Sequence, residues 1–142
     1  MIIEYKTGTE HIDWDQLCNL YEDVGLVGQF GKKRDYAAIQ AAFLASSKVV
    51  TAWNGSELIG GGRLLSDGVC YGTVFDVGVF PKYRRQGIAT EIFKELLRDK
   101  QNLCIYLTSS FEAEDVYKKQ GFKRHKNAFA KYPYASEYLI DN

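Results

Sequence analysis

The sequence predicts a mixed α/β (α+β) fold, in which one central sheet is flanked by about four helices. Helical stripes and strand-like runs alternate along the 142 residues. Hairpin signals dominate the first half and a strand–helix–strand order the second, so both antiparallel and parallel strand pairs are expected. Because no linker, repeat or low-complexity segment interrupts this order, we predict a single domain over residues 1–142.

The first half of the chain predicts two helices and a hairpin. The segment DWDQLCNLYEDVGL has apolar side chains at helical spacing, with Asp13 as its predicted N-cap and Gly25 as its stop. Asp35 is the predicted cap of the second helix, DYAAIQAAFLASS. In KVVTAWNGSELIGGGRLL, the dipeptide Asn54-Gly55 supplies the positive φ angles of a tight turn, so this segment predicts a hairpin.

Apolar runs and turn signals place the remaining elements. The predicted strands are residues 2–5, 69–80 and 103–108, with a final antiparallel pair around Phe122 and Phe129. Helix three follows the strand 69–80, and helix four covers residues 112–120.

The charge balance argues against polyanionic partners. Eighteen Lys and Arg residues match eighteen Asp and Glu residues, so no nucleic acid and no membrane surface is expected to bind. The basic run at residues 32–34 is typical of a solvated loop. The first ten residues lack the pattern of a targeting peptide, and no apolar run approaches the length of a membrane span. We therefore expect a cytoplasmic protein.

The three cysteines predict neither a disulfide framework nor a metal site. Cys18, Cys70 and Cys104 are odd in number, far apart in the sequence and in apolar surroundings, so they are predicted to be reduced core residues. Together with the two histidines they show no metal-ligand spacing, and no metal is expected.

The segment VFPKYRRQGIATEIFKELL places two arginines and a glycine between a strand end and an amphipathic helix. The first amides of a helix have no internal partner and carry the positive end of the helix dipole. Gly87 and Ala89 are small enough for an anion to approach the backbone, and Arg84 and Arg85 add charge and donors. Residues 84–89 therefore predict a phosphate-binding cradle, with a plain solvated loop as the alternative. The spacing is neither that of a dinucleotide fingerprint nor that of a P-loop.

Two motifs resemble those of a known family. The run Arg84-Arg85-Gln86-Gly87-Ile88-Ala89 resembles the Arg/Gln-x-x-Gly-x-Gly/Ala signature of the Gcn5-related N-acetyltransferases (GNAT). The segment SSFEAEDVYKKQGF is similar to a second family segment, in which Ala113 and Tyr117 lead into Gly121 and Phe122. The resemblance covers most of the chain, although in the N-terminal half only the order of elements agrees. It implies a largely antiparallel sheet that is splayed in the middle.

The resemblance implies that the cradle binds the pyrophosphate of acetyl-CoA. It also implies that the strand ending at Val79 splays from the strand 103–108 and pairs with the pantetheine arm, and that an N–H there polarises the thioester carbonyl. Ser110 is a shorter donor than the asparagine of many relatives. The predicted cofactor-binding residues are Val77, Gly78, Val79, Arg84, Arg85, Gln86, Gly87, Ile88, Ala89, Thr90 and Ser110.

Tyr117 is the general acid that the resemblance implies. The departing CoA thiolate must be protonated, and a phenol with a pKa of about 10 is matched to an aliphatic thiol. Without the motif, an aromatic residue at helical spacing from Ala113 would be interpreted as core.

The motifs do not specify a general base. Thr73 aligns with the glutamate base of some relatives and cannot accept a proton. Asp76 interrupts the apolar run TVFDVGVF and is the predicted catalytic carboxylate, either as base or by holding the ammonium group. A structural carboxylate that caps amides near a bulge is an equal alternative. Glu22 and Asp23 could relay a proton through water, although a solvated helix end is the simpler interpretation.

These expectations combine into an N-acetyltransferase that transfers the acetyl group of acetyl-CoA to a primary amine in a ternary complex. The alternative is a non-catalytic acyl-CoA-binding or sensor domain. The acceptor, a small molecule or peptide amine, would lie among the loop YEDVGLVGQFGKKRD, the strand around Asp76 and the C-terminal hairpin KNAFAKYPY. The resemblance also allows a homodimer, formed through exposed strand edges near the C-terminus.

Overall fold

The chain consists of two compact units, Met1–Thr108 and Ser109–Asn142. The computed structural model describes residues 1–110 and 113–141. In the first unit the elements are β1 (Glu4–Thr7), α1 (Trp14–Val24), α2 (Tyr36–Leu44), β2 (Lys48–Asn54), β3 (Glu57–Ser66), β4 (Tyr71–Val79), a 3-10 turn (Pro81–Tyr83), α3 (Ile88–Leu96) and β5 (Cys104–Tyr106). The second unit contains α4 (Glu114–Lys119). The single domain over residues 1–142 stays a prediction.

One five-stranded sheet in the order β1-β2-β3-β4-β5 organises the first unit. The first three pairs are antiparallel, and β4 and β5 are parallel. Pairing of β4 with β5 covers only residues 71–73 against 104–106, while β4 continues to Val79. The strands therefore separate along the second half of β4. The predicted fold class, with a mixed and largely antiparallel sheet that splays and with four helices among the described residues, is confirmed.

Local signals in the sequence set the helix and hairpin boundaries. Asp13 caps α1 by accepting a hydrogen bond from the Gln16 amide at 3.3 Å, and Asp35 caps α2 through Ala38 at 3.0 Å. The hairpin between β2 and β3 has the two-residue loop Gly55–Ser56, and Gly55 has a φ of 61°. Because Asn54 still pairs with Glu57, the predicted turn moves by one residue, and only Gly55 supplies a positive φ.

The middle of β3 is a run of three glycines under two helices. A Cβ atom on Gly60 or Gly62 would lie 3.0 or 3.1 Å from Ile92 of α3, and one on Gly61 would lie 3.1 Å from the Tyr21 hydroxyl of α1. These distances are shorter than ordinary van der Waals contacts. The glycines therefore allow both helices to pack closely against opposite faces of the sheet.

One expectation about the C-terminal structure is wrong. No strand forms among the described residues 120–141, so the antiparallel pair around Phe122 and Phe129 is absent there. The Phe129 side chain is 94% exposed, so there is no buried sheet face at this position to specify a strand register. The predicted C-terminal strand edges are therefore missing from the described part of the chain, and the homodimer stays a prediction. Glu112, the predicted start of helix four, lies outside the described residues.

The cysteines are only partly in the core. Cys18 is buried, whereas Cys70 and Cys104 are exposed, and all three are free. The prediction of three core cysteines is wrong for the latter two because they lie at the edge where β5 joins the sheet. There the Cys104 amide donates to the Cys70 carbonyl at 2.8 Å. No helix among the described residues has both the length and the apolar character needed to cross a membrane.

Candidate acetyl-CoA site

The cradle, residues Arg84–Thr90, joins the end of β4 to the start of α3. Gly87 is the N-cap of α3, and the first helical hydrogen bond runs from the Glu91 amide to the Gly87 carbonyl at 3.0 Å. The amides of Ile88, Ala89 and Thr90 precede that bond. As in any α-helix, these first donors lack helical acceptors and lie at the positive end of the helix dipole.

Two left-handed residues shape the cradle. Arg85 has a φ of 65° and Gly87 a φ of 79°. A Cβ atom on Gly87 would meet no protein atom within 4 Å. The surface above Gly87 is therefore open, and a ligand can approach the backbone directly. Ile88 faces the other way and is buried, which anchors the first turn of α3 to the core.

The charge of the cradle is not neutralised locally. Within the part of the chain that the structure describes, neither Arg84 nor Arg85 forms an ion pair, and both are exposed. Arg84 donates from Nε to the Val79 carbonyl at 3.2 Å, which ties the loop to the end of β4. Its terminal guanidinium nitrogens are left for an anion.

Residues of the 3-10 turn just before the cradle are paired with a carboxylate of β3. Tyr83 donates to Glu57 at 2.5 Å, and the Lys82 ammonium lies 3.4 Å from the same carboxylate. The hydrogen bond from Tyr83, and then that from Lys82, lower the pKa of the Glu57 carboxyl. The Glu57 carboxylate thus binds two residues of the 3-10 turn and holds this turn in place before Arg84.

A bulge in β4, residues Asp76–Val77, lies next to the predicted pantetheine strand. Between the pairs Gly61–Gly78 and Arg63–Phe75, β3 has one residue and β4 has these two. Asp76 has a φ of 60°, a left-handed conformation that aspartate tolerates better than most residues. The bulge changes the course of β4 just before Gly78 and Val79.

The Asp76 carboxylate has a partner for each oxygen. Oδ1 accepts from the Val27 amide at 2.8 Å, and Oδ2 accepts from the Arg63 guanidinium at 2.7 Å. The side chains of Asp76 and Arg63 are 9% and 13% exposed. The Asp76 carbonyl accepts from the Tyr21 hydroxyl at 2.7 Å. These contacts support the structural alternative for Asp76, and its role as a base stays a prediction.

Arg63 is a residue of this site that the sequence reasoning missed. Its guanidinium lies 5.7 Å from the Phe43 ring centroid and 5.5 Å from that of Phe75. It also donates to the Ala42 carbonyl at 3.5 Å and to the Ser46 hydroxyl at 3.4 Å. The signal in the sequence was a single arginine in the otherwise apolar stretch LIGGGRLL, opposite a single aspartate in TVFDVGVF.

The loop between α1 and α2 is held in place by the bulge. Val27, which has its amide on Asp76, is buried and has a φ of 60°. A β-branched residue rarely adopts this conformation, which costs about 1–3 kcal/mol. The hydrogen bond to Asp76 and the burial of the side chain offset that cost. Glu22, at the end of α1, forms an ion pair with Arg34 at 3.3 Å.

The second unit contains Tyr117 and Ser110. Tyr117 lies in α4, half-buried, with its ring centroid 6.3 Å from that of Phe122 in an edge-on arrangement. Burial raises the pKa of the Tyr117 phenol. Ser110 is exposed, and its carbonyl accepts from the Ala113 amide at 3.1 Å. The cradle and the bulge thus both belong to the first unit, whereas the predicted acid belongs to the second.

No group of three or more His, Cys, Asp or Glu side chains in residues 1–110 and 113–141 is arranged to hold a metal ion. The polar groups of the site are instead backbone amides, arginines and one ion-paired carboxylate. That set suits an anionic ligand, because amides and guanidinium groups are donors only.

Comparison with known proteins places the chain in a family. The model of the acetyltransferase (GNAT) domain matches residues 19–132. A GNAT-family acetyltransferase from Streptococcus pneumoniae is 26% identical, with a TM-score of 0.71 over 86% of this chain and 88% of that one. No curated protein matches the sequence significantly. The chain belongs to the GNAT acetyltransferases, so the family suggested by the two motifs is confirmed.

More distant structures share the fold. A putative acetyltransferase from Deinococcus radiodurans is 20% identical, with a TM-score of 0.75 over 91% of this chain and 87% of that one. A predicted acetyltransferase from Clostridium acetobutylicum, solved with acetyl-CoA, is 18% identical, with a TM-score of 0.69 over 92% of this chain and 96% of that one.

Proposed function

We propose that this protein is an N-acetyltransferase that transfers the acetyl group of acetyl-CoA to a primary amine. The observation that carries the proposal is the cradle, in a chain of the acetyltransferase family: it combines helix-start amides, an open glycine and two arginines that form no ion pair with the described residues. The structure from C. acetobutylicum that was solved with acetyl-CoA adds support, because this chain shares its fold.

Acetyl-CoA would bind along β4. Its pyrophosphate would accept hydrogen bonds from the cradle amides and from Arg84 and Arg85. The pantetheine arm would follow the second half of β4, which β5 leaves unpaired after Thr73, and would pair with Val77–Val79. A backbone N–H near the bulge would then polarise the thioester carbonyl.

The reaction joins the amine nitrogen to the acetyl carbon and breaks the carbon–sulfur bond. An alkylammonium with a pKa of about 10.4 must first lose a proton, which costs about 4–5 kcal/mol at neutral pH. The nitrogen attacks in the ternary complex, the tetrahedral intermediate collapses, and the thiolate leaves and takes up a proton. The products are the acetamide, CoA with a free thiol, and one proton released to solvent.

Tyr117 is the proposed donor of the proton to sulfur. A phenol with the ordinary pKa of about 10 is protonated at neutral pH, as a general acid must be, and burial raises the pKa of Tyr117 further in that direction. Ser110 is the proposed additional donor to the cofactor. Asp76, which is ion-paired to Arg63, is the proposed base, and a proton relay through water to Glu22 or Asp23 is the alternative.

Two measurements test the function. Calorimetry should show that acetyl-CoA binds, and a panel of polyamines, arylalkylamines, amino sugars, amino acids and peptides should contain an amine that releases free thiol from acetyl-CoA. If acetyl-CoA did not bind at millimolar concentration, the proposal would be wrong. If acetyl-CoA bound and no primary amine were acetylated, a non-catalytic acyl-CoA-binding role would replace it.

A further inference from the structure

We propose that Arg63 is a positioning residue, which acts through Asp76 to hold the acceptor loop and the acetyl-CoA slot in a fixed relation. The acceptor loop is defined here as residues 25–35. The inference rests on the proposed function, because it names the segment that fixes the amine relative to the thioester. The observation that carries it is the part-buried series of hydrogen bonds from Arg63 through Asp76 to Val27.

Three segments meet at the bulge through one residue. β3 contributes the Arg63 guanidinium to Oδ2 of Asp76, the acceptor loop contributes the Val27 amide to Oδ1, and α1 contributes the Tyr21 hydroxyl to the carbonyl. Every one of these contacts is 2.8 Å or shorter. Through Asp76, β4 therefore contacts β3, α1 and the acceptor loop.

The charge of Arg63 is what keeps Asp76 in this orientation. A buried carboxylate without a cation would be costly, and the ion pair offsets that cost only if its geometry is well defined. The Phe43 and Phe75 rings at 5.7 and 5.5 Å limit the orientations of the guanidinium. Loss of Arg63 should thus let the carboxylate turn towards water and release the Val27 amide.

Loss of the hydrogen bond between the Val27 amide and Asp76 would affect two residues with left-handed backbone conformations. Val27 and Asp76 both have a φ of 60°, and a hydrogen bond connects them. When it breaks, each can relax towards an ordinary conformation. The acceptor loop would move relative to β4, while the cradle, which is fixed by its own contacts to Val79 and to the core, would remain.

Amide hydrogen exchange on the whole chain is the first test. In Arg63→Gln, peptides covering residues 25–31 should exchange at least about tenfold faster than in wild type, as expected for the loss of a hydrogen bond to a charged group. Peptides of β2 should keep their protection. Arg98→Gln is the matched control, because Arg98 also forms an ion pair, with Glu95, but at the surface.

Kinetics supply a second measurement that a purely structural role would not change. With spermidine and tyramine as probe amines, kcat of Arg63→Gln should fall by about 10- to 100-fold, the size expected for misplaced reacting groups. The acetyl-CoA dissociation constant should rise much less than kcat falls, because the cradle, which would bind the pyrophosphate, keeps its own contacts to Val79 and to the core. Arg63→Lys should recover part of kcat. Arg63→Met/Asp76→Asn, which removes both charges, should recover melting temperature relative to the single variants without recovering kcat.

Several results would overturn the inference. Uniform acceleration of exchange across residues 1–108 would make Arg63 an ordinary core residue, and no acceleration at residues 25–31 would remove the coupling. An unchanged kcat with a loosened loop would show that the loop does not position the amine. If wild type turned over neither probe amine, the exchange pattern alone would decide. Failure of wild type to bind acetyl-CoA would count against the proposed function instead.

Discussion

The cradle and the bulge are two parts of one candidate site that are built in opposite ways. The cradle is exposed, its two arginines have no carboxylate partner in the described residues, and its glycine faces open space. At the bulge, the Asp76 side chain is only 9% exposed, and each oxygen of its carboxylate accepts a hydrogen bond from another segment. The cradle leaves open space above Gly87, where an anionic ligand could bind. At the bulge, the anion is the Asp76 carboxylate of the protein itself, and it is already paired.

This contrast separates binding from positioning. The amides at a helix start have no partner within the helix, so a bound anion supplies the hydrogen-bond acceptors that they lack. A carboxylate that is already paired gains little from a ligand, and protonation would break its ion pair. Changes in the cradle should therefore affect the affinity for acetyl-CoA, and changes in the bulge should affect stability and the placement of the acceptor.

The largest effect is expected for Gly87→Glu in the cradle. The new carboxylate would occupy the open space above the helix start and repel the pyrophosphate, so the acetyl-CoA dissociation constant should rise by at least about 100-fold. Gly68→Glu is the matched control, because Gly68 has a φ of 77° and a Cβ atom there would also meet no protein atom within 4 Å. Calorimetry on both variants measures the difference. Equal and near-normal affinities would move the phosphates away from the cradle.

The second-largest effect is expected on kcat, when the proposed proton donor Tyr117 is changed. Tyr117→Phe should lower kcat by about 10²- to 10⁴-fold, the range for a positioned proton donor, and should leave the affinity for acetyl-CoA unchanged. The packing of the ring on Phe122 survives in this variant. Tyr132→Phe, another tyrosine of the second unit, serves as the control. Full turnover in Tyr117→Phe would assign thiolate protonation to water.

Asp76→Asn tests the bulge directly. The amide cannot pair with Arg63 as a carboxylate does, so the free energy of unfolding should fall by roughly 3 kcal/mol, as for one partner of a buried pair. The pH profile of kcat/KM should keep its shape if Asp76 acts by position. Loss of the acidic limb with unchanged stability would instead identify Asp76 as the general base.

The smallest effect is expected for Tyr21→Phe, which removes the hydroxyl that contacts the Asp76 carbonyl. The variant should lose about 1 kcal/mol at neutral pH. Burial, and then the nearby Asp76 charge, raise the pKa of Tyr21 well above its ordinary value. Above pH of about 10 the unfolded chain loses this proton and the folded chain keeps it, so wild-type stability falls as pH rises.

The Tyr21→Phe variant lacks this titration, and its deficit relative to wild type should shrink above pH of about 10. Denaturant unfolding at several alkaline pH values measures the deficit, with Tyr134→Phe, an exposed tyrosine, as control. A deficit that stayed constant with pH would contradict the assigned burial of Tyr21.

Features that depend on residues close together in the sequence could be predicted, and contacts between distant residues could not. The caps at Asp13 and Asp35 and the end of α1 at Gly25 depend on neighbours a few residues away, and the sequence predicts all three. The ion pair of Asp76 with Arg63 depends on the register of β3 and β4, and the contact with Val27 spans 49 residues. Apolar patterning does not specify such pairings, so Arg63 was missed.

The predicted strands around Phe122 and Phe129 are wrong for a different reason. The aromatic residues of this segment favour strands, but a strand also needs a neighbour with which to pair. The exposure of Phe129 shows that the pattern there does not report burial. Tyr117, by contrast, was selected by its motif alone, and its acid role is still a prediction.

The three glycines of β3 have a consequence for the order in which the first unit assembles. Glycine lowers the intrinsic strand tendency and has more backbone freedom to lose, so residues 60–62 are a weak template for a hairpin on their own. Their backbone is held by Ile92 from one side and Tyr21 from the other. We expect the excised peptide 48–66 to be unstructured in water, and the β2–β3 pairing to form only together with the docking of α1 and α3, in one cooperative step.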